Sequence, residues 1–126
     1  MFKFSKRSLE KLQGVDTRLI LLANEVLKVS PYDFGITCGY RTIKEQQKMY
    51  ERGVSRCDGV NNKSKHQLGK AIDIMVYDEN GKGTWKKDYY IEVAKAFKQK
   101  AKELDINIRW GGDFKSIVDM PHFELC

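Results

Sequence analysis

The chain has 126 residues, with 23 Lys and Arg against 17 Asp and Glu, for a formal net charge of +6. That length suits one domain of roughly 100–150 residues and leaves no room for a second domain or a repeat array. With 41% hydrophobic and 11% aromatic residues the composition is that of a folded protein, not a disordered one. The charge by itself admits a nucleic acid, an anionic membrane, an anionic polymer or plain solubility.

The N-terminal run Met1-Phe2-Lys3-Phe4-Ser5-Lys6-Arg7 has charge but no apolar segment behind it, so no secretory signal peptide is expected. Asp16 reads as a helix N-cap, with Val15 and Ile20 placed for a hydrophobic staple. The helix should end near Val29, because Ser30 precedes Pro31. Asn24, Glu25 and Lys28 interrupt its apolar stretch, which is too short and too polar to span a bilayer. Residues Phe34 to Tyr40 then alternate: Phe34, Ile36, Cys38 and Tyr40 share one face, as in a strand.

Thr42-Ile43-Lys44-Glu45 has capping-box spacing and opens a helix that should close near Gly53. Val54 to Lys65 is polar and reads as one long surface loop. Lys70 to Tyr77 is a second strand, with Ile72, Ile74 and Val76 on one face and Ala71, Asp73, Met75 and Tyr77 on the other. Asn80-Gly81 suits a tight hairpin. Asp88 is a candidate N-cap for a helix with the stripe Tyr90, Ala94, Phe97, Ala101 and Leu104. Ile106, Ile108 and Trp110 alternate as a third strand that Gly111-Gly112 breaks, and His122 to Leu125 forms a short last one. Helices and strands are mixed, so the expected class is α+β with a small, mainly antiparallel sheet flanked by helices.

Cys38, Cys57 and Cys126 form no CxxC pair, so no disulfide framework is expected. Cys38 reads as a small core residue. The basic residues are scattered and carry none of the familiar nucleic-acid-binding signatures.

The chemistry gathers around the two histidines. His66 closes the polar loop, and Asp73 follows in the next strand on the face opposite its apolar residues. A carboxylate in such a strand needs a partner. His122 follows Pro121, and Asp119 stands three residues before it. Singly, each has an ordinary reading: His66 as a solvated loop residue, Asp73 as a partner for one of the many Lys and Arg, Asp119 as a turn residue, His122 as structural. Together, two imidazoles and a carboxylate make the protein ligand set of a catalytic zinc, which leaves one position for water. Asp119 would then be the base. Glu124 shares a strand face with His122, and Asp113 is either a support for a histidine or a turn residue.

Ser64-x-His66-x-x-Gly69-x-Ala71-x-Asp73 followed by Asp119-x-x-His122 resembles the zinc peptidase superfamily of D-Ala-D-Ala carboxypeptidases, VanX and VanY. Gly39-Tyr40-Arg41-Thr42 matches a further motif of that superfamily. Within it the chain looks most like the phage endolysins that are L-alanyl-D-glutamate peptidases. The resemblance covers roughly Thr37 to Leu125. It implies a hedgehog/DD-peptidase-like fold, with residues 1–126 as a single catalytic domain. It also implies one Zn2+ held by His66, Asp73 and His122, with Asp119 as general base. Arg41 would lie in the active site, holding substrate or stabilising the oxyanion, and Tyr40 and Trp110 are candidate walls of the substrate cleft. The base position carries Asp119 where the carboxypeptidase and dipeptidase branch typically has Glu, which favours the endolysin branch.

The expected partner is peptidoglycan, without nucleic acid or stable membrane insertion, and the expected state is a monomer. The expected location is the host cytoplasm until release, then the periplasm and wall. A D,D-carboxypeptidase or dipeptidase of the same superfamily, and a non-catalytic zinc-containing binding module, are the alternatives.

Overall fold

The computed structural model describes residues 2–126. Its elements are α1 (Lys6–Lys11), α2 (Thr17–Val29), β1 (Phe34–Cys38), α3 (Ile43–Glu51), β2 (Ala71–Tyr77), β3 (Gly83–Thr84), α4 (Lys87–Glu103), β4 (Ile108–Trp110), a 3-10 turn at Gly111–Asp113, and β5 (His122–Leu125). The strands are ordered β1-β2-β5-β4, with β3 also on β2, and every pairing is antiparallel.

The alternation along β2 sets the two sides of the sheet. Ile72, Ile74 and Val76 are fully buried, while Asp73, Met75 and Tyr77 are half-buried. The apolar side meets α4 and α2, which supply Tyr90, Val93, Ala94, Phe97 and Ala101, and Leu19, Leu22, Ala23 and Val26. Phe123 of β5 stacks on Phe97 with ring centroids 4.0 Å apart, fastening the short last strand to the core. Burying such aromatics contributes on the order of 2–3 kcal/mol each. Among the described residues no helix is long and apolar enough to cross a membrane.

Helix α2 has the expected bounds, with Asp16 Oδ1 accepting from the Arg18 N–H. The capping box of α3 is formed: Thr42 Oγ1 accepts from Glu45 N–H, and Glu45 accepts from Thr42 N–H. Gly81 takes φ +77° in the hairpin after β2, as its Asn-Gly signal requires.

Four expectations are corrected. Helix α4 begins at Lys87 with Lys86 at its cap; Asp88 lies in the first turn, where its charge still complements the helix dipole. Strand β1 stops at Cys38, short of Tyr40, because its register breaks after Ile36 and the next residues turn away to bond the His66 segment. Ile106 stands outside β4, its N–H returning to Ala101 O at 2.8 Å to close α4. Cys38 is half-buried at the rim of the site, not in the core. Helix α1 was not anticipated. It is capped by Ser5, and its one buried residue, Ser8, accepts the Ile36 N–H of edge strand β1 at 3.0 Å.

Candidate active site

Three pieces of local structure bring the polar residues together. The first is the turn after the long loop. Gly69 has φ +71°, and a Cβ there would sit 2.6 Å from Gly14 O, so both the turn and the close approach call for glycine. The second is the pairing of β2 with β5, which sets Asp73 directly opposite His122 on the face away from Ile72 and Phe123. The third is the segment between β4 and β5. Asp119 N–H donates to Gly111 O at 2.9 Å, His122 N–H donates to Asp119 O at 3.1 Å, and the Trp110 indole donates to Met120 O at 2.7 Å.

Asp73 Oδ1 is the hub. His66 Nε2 lies 3.3 Å from it and His122 Nδ1 lies 3.0 Å from it. The other ring nitrogens are engaged from behind. His66 Nδ1 meets Gly39 O at 2.9 Å, and a carbonyl can only accept, so Nδ1 carries a proton. His122 Nε2 meets Glu124 Oε1 at 2.8 Å and donates to that carboxylate. Each imidazole therefore turns its remaining nitrogen toward the same carboxylate oxygen. Three such atoms converge either around extra protons or around a cation. The donor set, one carboxylate and two imidazoles each oriented by an outer hydrogen bond, fits a zinc ion. Asp119 joins Asp73 and His122 in a second cluster of donor atoms, and Cys38 joins His66 and Asp73 in another.

Burial works against a charge on His66, but hydrogen bonds to Asp73 and Cys38 and the charge of Asp73 outweigh it, and the imidazole is pushed up to about 10. His122 is also raised, against burial, by Asp73 and Glu124. Asp73 would be raised by burial, yet the two histidines hold it well below the usual carboxylate range. Asp119 moves the other way. Burial raises it, and the Asp73 charge adds to the rise. A carboxyl with a raised pKa at the edge of such a cluster is suited to taking and returning a proton.

A cavity of about 390 Å³ opens over these groups, and Arg41, His66, Asp73, Asp119 and His122 all line it. Lys63, Ser64 and Lys65 from the long loop add to its wall. Tyr40 and Trp110, expected as cleft walls, do not. Tyr40 lies over Gly14 with 47% of its surface exposed, and Trp110 packs toward Phe123 with its indole bound to Met120 O. Asp113 pairs with Lys98 at 2.7 Å, away from the histidines. Glu124 proves to hold His122 from behind; its spacing of two from His122 in a strand is the signal that could have shown this. Gln46, which binds Arg41 Nη1 at 2.7 Å, carried no sequence signal.

The family model described as phage L-alanyl-D-glutamate peptidase matches residues 1–125. The chain belongs to the phage L-alanyl-D-glutamate peptidase family. It is 40% identical over 125 residues to the L-alanyl-D-glutamate peptidase of Escherichia phage T5, covering 98% of this chain and 89% of that one. It is 29% identical over 107 residues to the peptidoglycan L-alanyl-D-glutamate endopeptidase CwlK of Bacillus subtilis, covering 74% of this chain and 60% of that one. The crystal structure of the Serratia marcescens L-Ala D-Glu endopeptidase ChiX superimposes with a TM-score of 0.87 at 32% identity, over 98% of this chain and 90% of that one. A Zn(II) complex of a mutant of the D,D-pentapeptidase VanY superimposes with a TM-score of 0.63 at 16% identity, over 88% of this chain and 72% of that one, and shares the fold. The expected α+β, DD-peptidase-like fold is thus the fold of this peptidase family.

Proposed function

We propose that this peptidase is a zinc-dependent endopeptidase that cuts the peptidoglycan stem peptide between L-Ala and D-Glu during host lysis by a phage. His66, Asp73 and His122 hold one zinc ion, Asp119 is the base, and Arg41 binds negative charge on the substrate or in the transition state. The carrying observation is the convergence of His66 Nε2 and His122 Nδ1 on Asp73 Oδ1, with both rear nitrogens engaged.

When bound, zinc supplies Lewis acidity, polarising the scissile carbonyl and making water easier to deprotonate. Asp119, with Oδ2 3.9 Å from His122 Nδ1, stands beside that position and takes the proton of the attacking water. It then returns the proton to the departing D-Glu nitrogen. The Arg41 guanidinium on the cavity wall favours the oxyanion or a D-Glu carboxylate. Lys63 and Lys65 give that wall a positive sign, and the net charge of +6 favours approach to an anionic polymer. The enzyme acts as a monomer, held in the host cytoplasm until release and then working at the wall.

Digestion of purified peptidoglycan tests this reading. New N-terminal D-Glu should appear with zinc and vanish with a chelator. Release of D-Ala in its place would move the chain to the carboxypeptidase branch, and zinc binding without any cleavage would make it a binding module.

A further inference from the structure

Arg41 is a buried cation without a carboxylate partner. It is 9% exposed, and no ion pair among the described residues includes it. Glu45, an acid that feels its charge, is committed to the Thr42 N–H of the capping box. A buried guanidinium left in that state is costly unless its N–H groups are satisfied. Its Nη1 donates to Gln46 Oε1, a neutral amide, at 2.7 Å and its Nη2 to Cys38 Sγ at 3.4 Å, a sulfur that also lies 3.6 Å from His66 Nδ1; neither acceptor is a carboxylate.

Gln46 is fully buried and is the one buried residue of α3. While Oε1 accepts from Arg41, Nε2 donates to Ser55 Oγ at 2.8 Å and to Cys57 O at 2.7 Å. Gly59 closes over its aliphatic part, where an added Cβ would stand 3.3 Å from Gln46 Cγ. Ser55 and Cys57 belong to the same cavity wall as Lys63 and Lys65. One amide therefore joins the guanidinium to the loop that walls the cavity. The choice of amide matters chemically. A carboxylate there would also accept from Arg41, but it would cancel the charge and could not donate to Cys57 O.

We propose that Gln46 is a positioning residue: its neutral amide aims Arg41 at the cavity with no carboxylate set against the cationic charge, and locks the loop wall to it. The ligand served is an anionic oxygen, either the D-Glu carboxylate or the oxyanion of the reacting carbonyl. The inference rests on the role given to Arg41 under the proposed function.

The test compares Gln46→Glu and Gln46→Met with the parent, each loaded with zinc. Both variants should keep full zinc content and lose about tenfold or more in kcat/KM. A stem peptide with D-Glu and the same peptide with the D-Glu α-carboxyl amidated separate the two sources of negative charge. A rise in KM confined to the unamidated peptide assigns Arg41 to the carboxylate. An equal loss in kcat on both assigns it to the oxyanion. Parent-like kinetics for Gln46→Glu on both peptides overturns the proposal. An independent readout is the nitrogen-15 NMR spectrum of the guanidinium. The parent should show slowly rotating, resolved Arg41 Nη signals that merge in Gln46→Met. A parent without them overturns the inference whether or not the enzyme releases D-Glu termini, and a parent with them but without cleavage faults only the proposed function.

Discussion

Glu124 Oε1 lies 2.8 Å from His122 Nε2, two residues away on the same strand. Both side chains are buried, so this contact fixes which nitrogen of His122 faces Asp73. Arg109 Nη1 lies 3.9 Å from the other oxygen of Glu124. Outer partners of this kind orient a ligand and raise its basicity, and their loss typically lowers metal affinity by roughly 10–100-fold. Glu124→Ala should weaken zinc binding by that order while leaving the fold intact. Glu124→Gln, whose carbonyl still accepts, should lose less. Competition titration against a chromogenic zinc chelator checks both, and equal affinity in Glu124→Ala would remove the orienting role.

Removing the metal should make stability sensitive to alkali. In the metal-free protein His66 is raised from 6.5 to about 10: burial opposes the charge, but its bonds to Asp73 and Cys38 prevail. A histidine raised on folding stabilises the native state fully below its unfolded value, and that contribution fades as pH rises through the folded value. Asp73, lowered in spite of burial, contributes above its unfolded value of 3.8 and loses its contribution as pH falls below it. The metal-free protein should therefore be most stable between about pH 4 and 6.5 and weaken steadily toward pH 10. Thermal unfolding across that range, with and without zinc, measures it. A flat alkaline limb in the metal-free protein would contradict the protonated pair.

The parts of this structure that were legible in the sequence are those in which one residue type has few alternatives. Asp16 and Thr42 announced their helices because an N-cap needs a short oxygen-bearing side chain. The alternation of Ile72, Ile74 and Val76 fixed which way Asp73 faces, and so which side of the sheet holds the site. Helix α1 escaped because its six residues bury a serine and present no apolar stripe; tertiary contact with β1 holds it, not its own pattern. The end of β1 escaped for a similar reason. Its continuing alternation is overridden by hydrogen bonds to the His66 segment, which the local sequence does not encode.

The site was legible as a motif but not as a network. His66, Asp73, Asp119 and His122 were singled out by their joint spacing, and the fold gathers them on one cavity. Gln46 and Cys38 stand five residues after and three residues before Arg41, but their other partners, Ser55 and Cys57 for Gln46 and His66 for Cys38, are brought in by the loop, and no motif spacing marks them. Tyr40 and Trp110 were expected as walls of the cleft. Adjacent residues in extended backbone point to opposite sides, and these two turn toward Gly14 and Phe123.

Asp119→Asn separates binding from chemistry. The amide preserves size, and Asp119 lies outside the proposed zinc set of His66, Asp73 and His122. Zinc content should therefore stay near that of the parent, while turnover falls by about 10²–10⁴-fold through loss of the proton acceptor. Single-turnover digestion of wall fragments, with metal content measured on the same sample, decides it. Substantial activity in Asp119→Asn would pass the base role to another group.

Gly111→Ala should act on Asp119 without touching its carboxyl. A Cβ at Gly111 would stand 2.0 Å from Asp119 O and 2.9 Å from His122 Cβ, and the first of these neighbours is backbone that cannot rotate away. The segment must shift, which breaks the Asp119 N–H bond to Gly111 O and moves both Asp119 and His122. Overpacking of this kind costs about 1–3 kcal/mol. The expected result is a drop in unfolding free energy of that order in denaturant titrations. A loss of kcat should persist under conditions where the variant is fully folded. Gly112 is the matched comparison. Its added Cβ would meet the Trp110 ring at 2.3 Å, a side chain tied to Met120 O, so Gly112→Ala should disturb the same segment from the other side. If Gly111→Ala unfolds at the parent's denaturant midpoint and turns over at the parent's rate, the tight Gly111–Asp119 approach does not position the base.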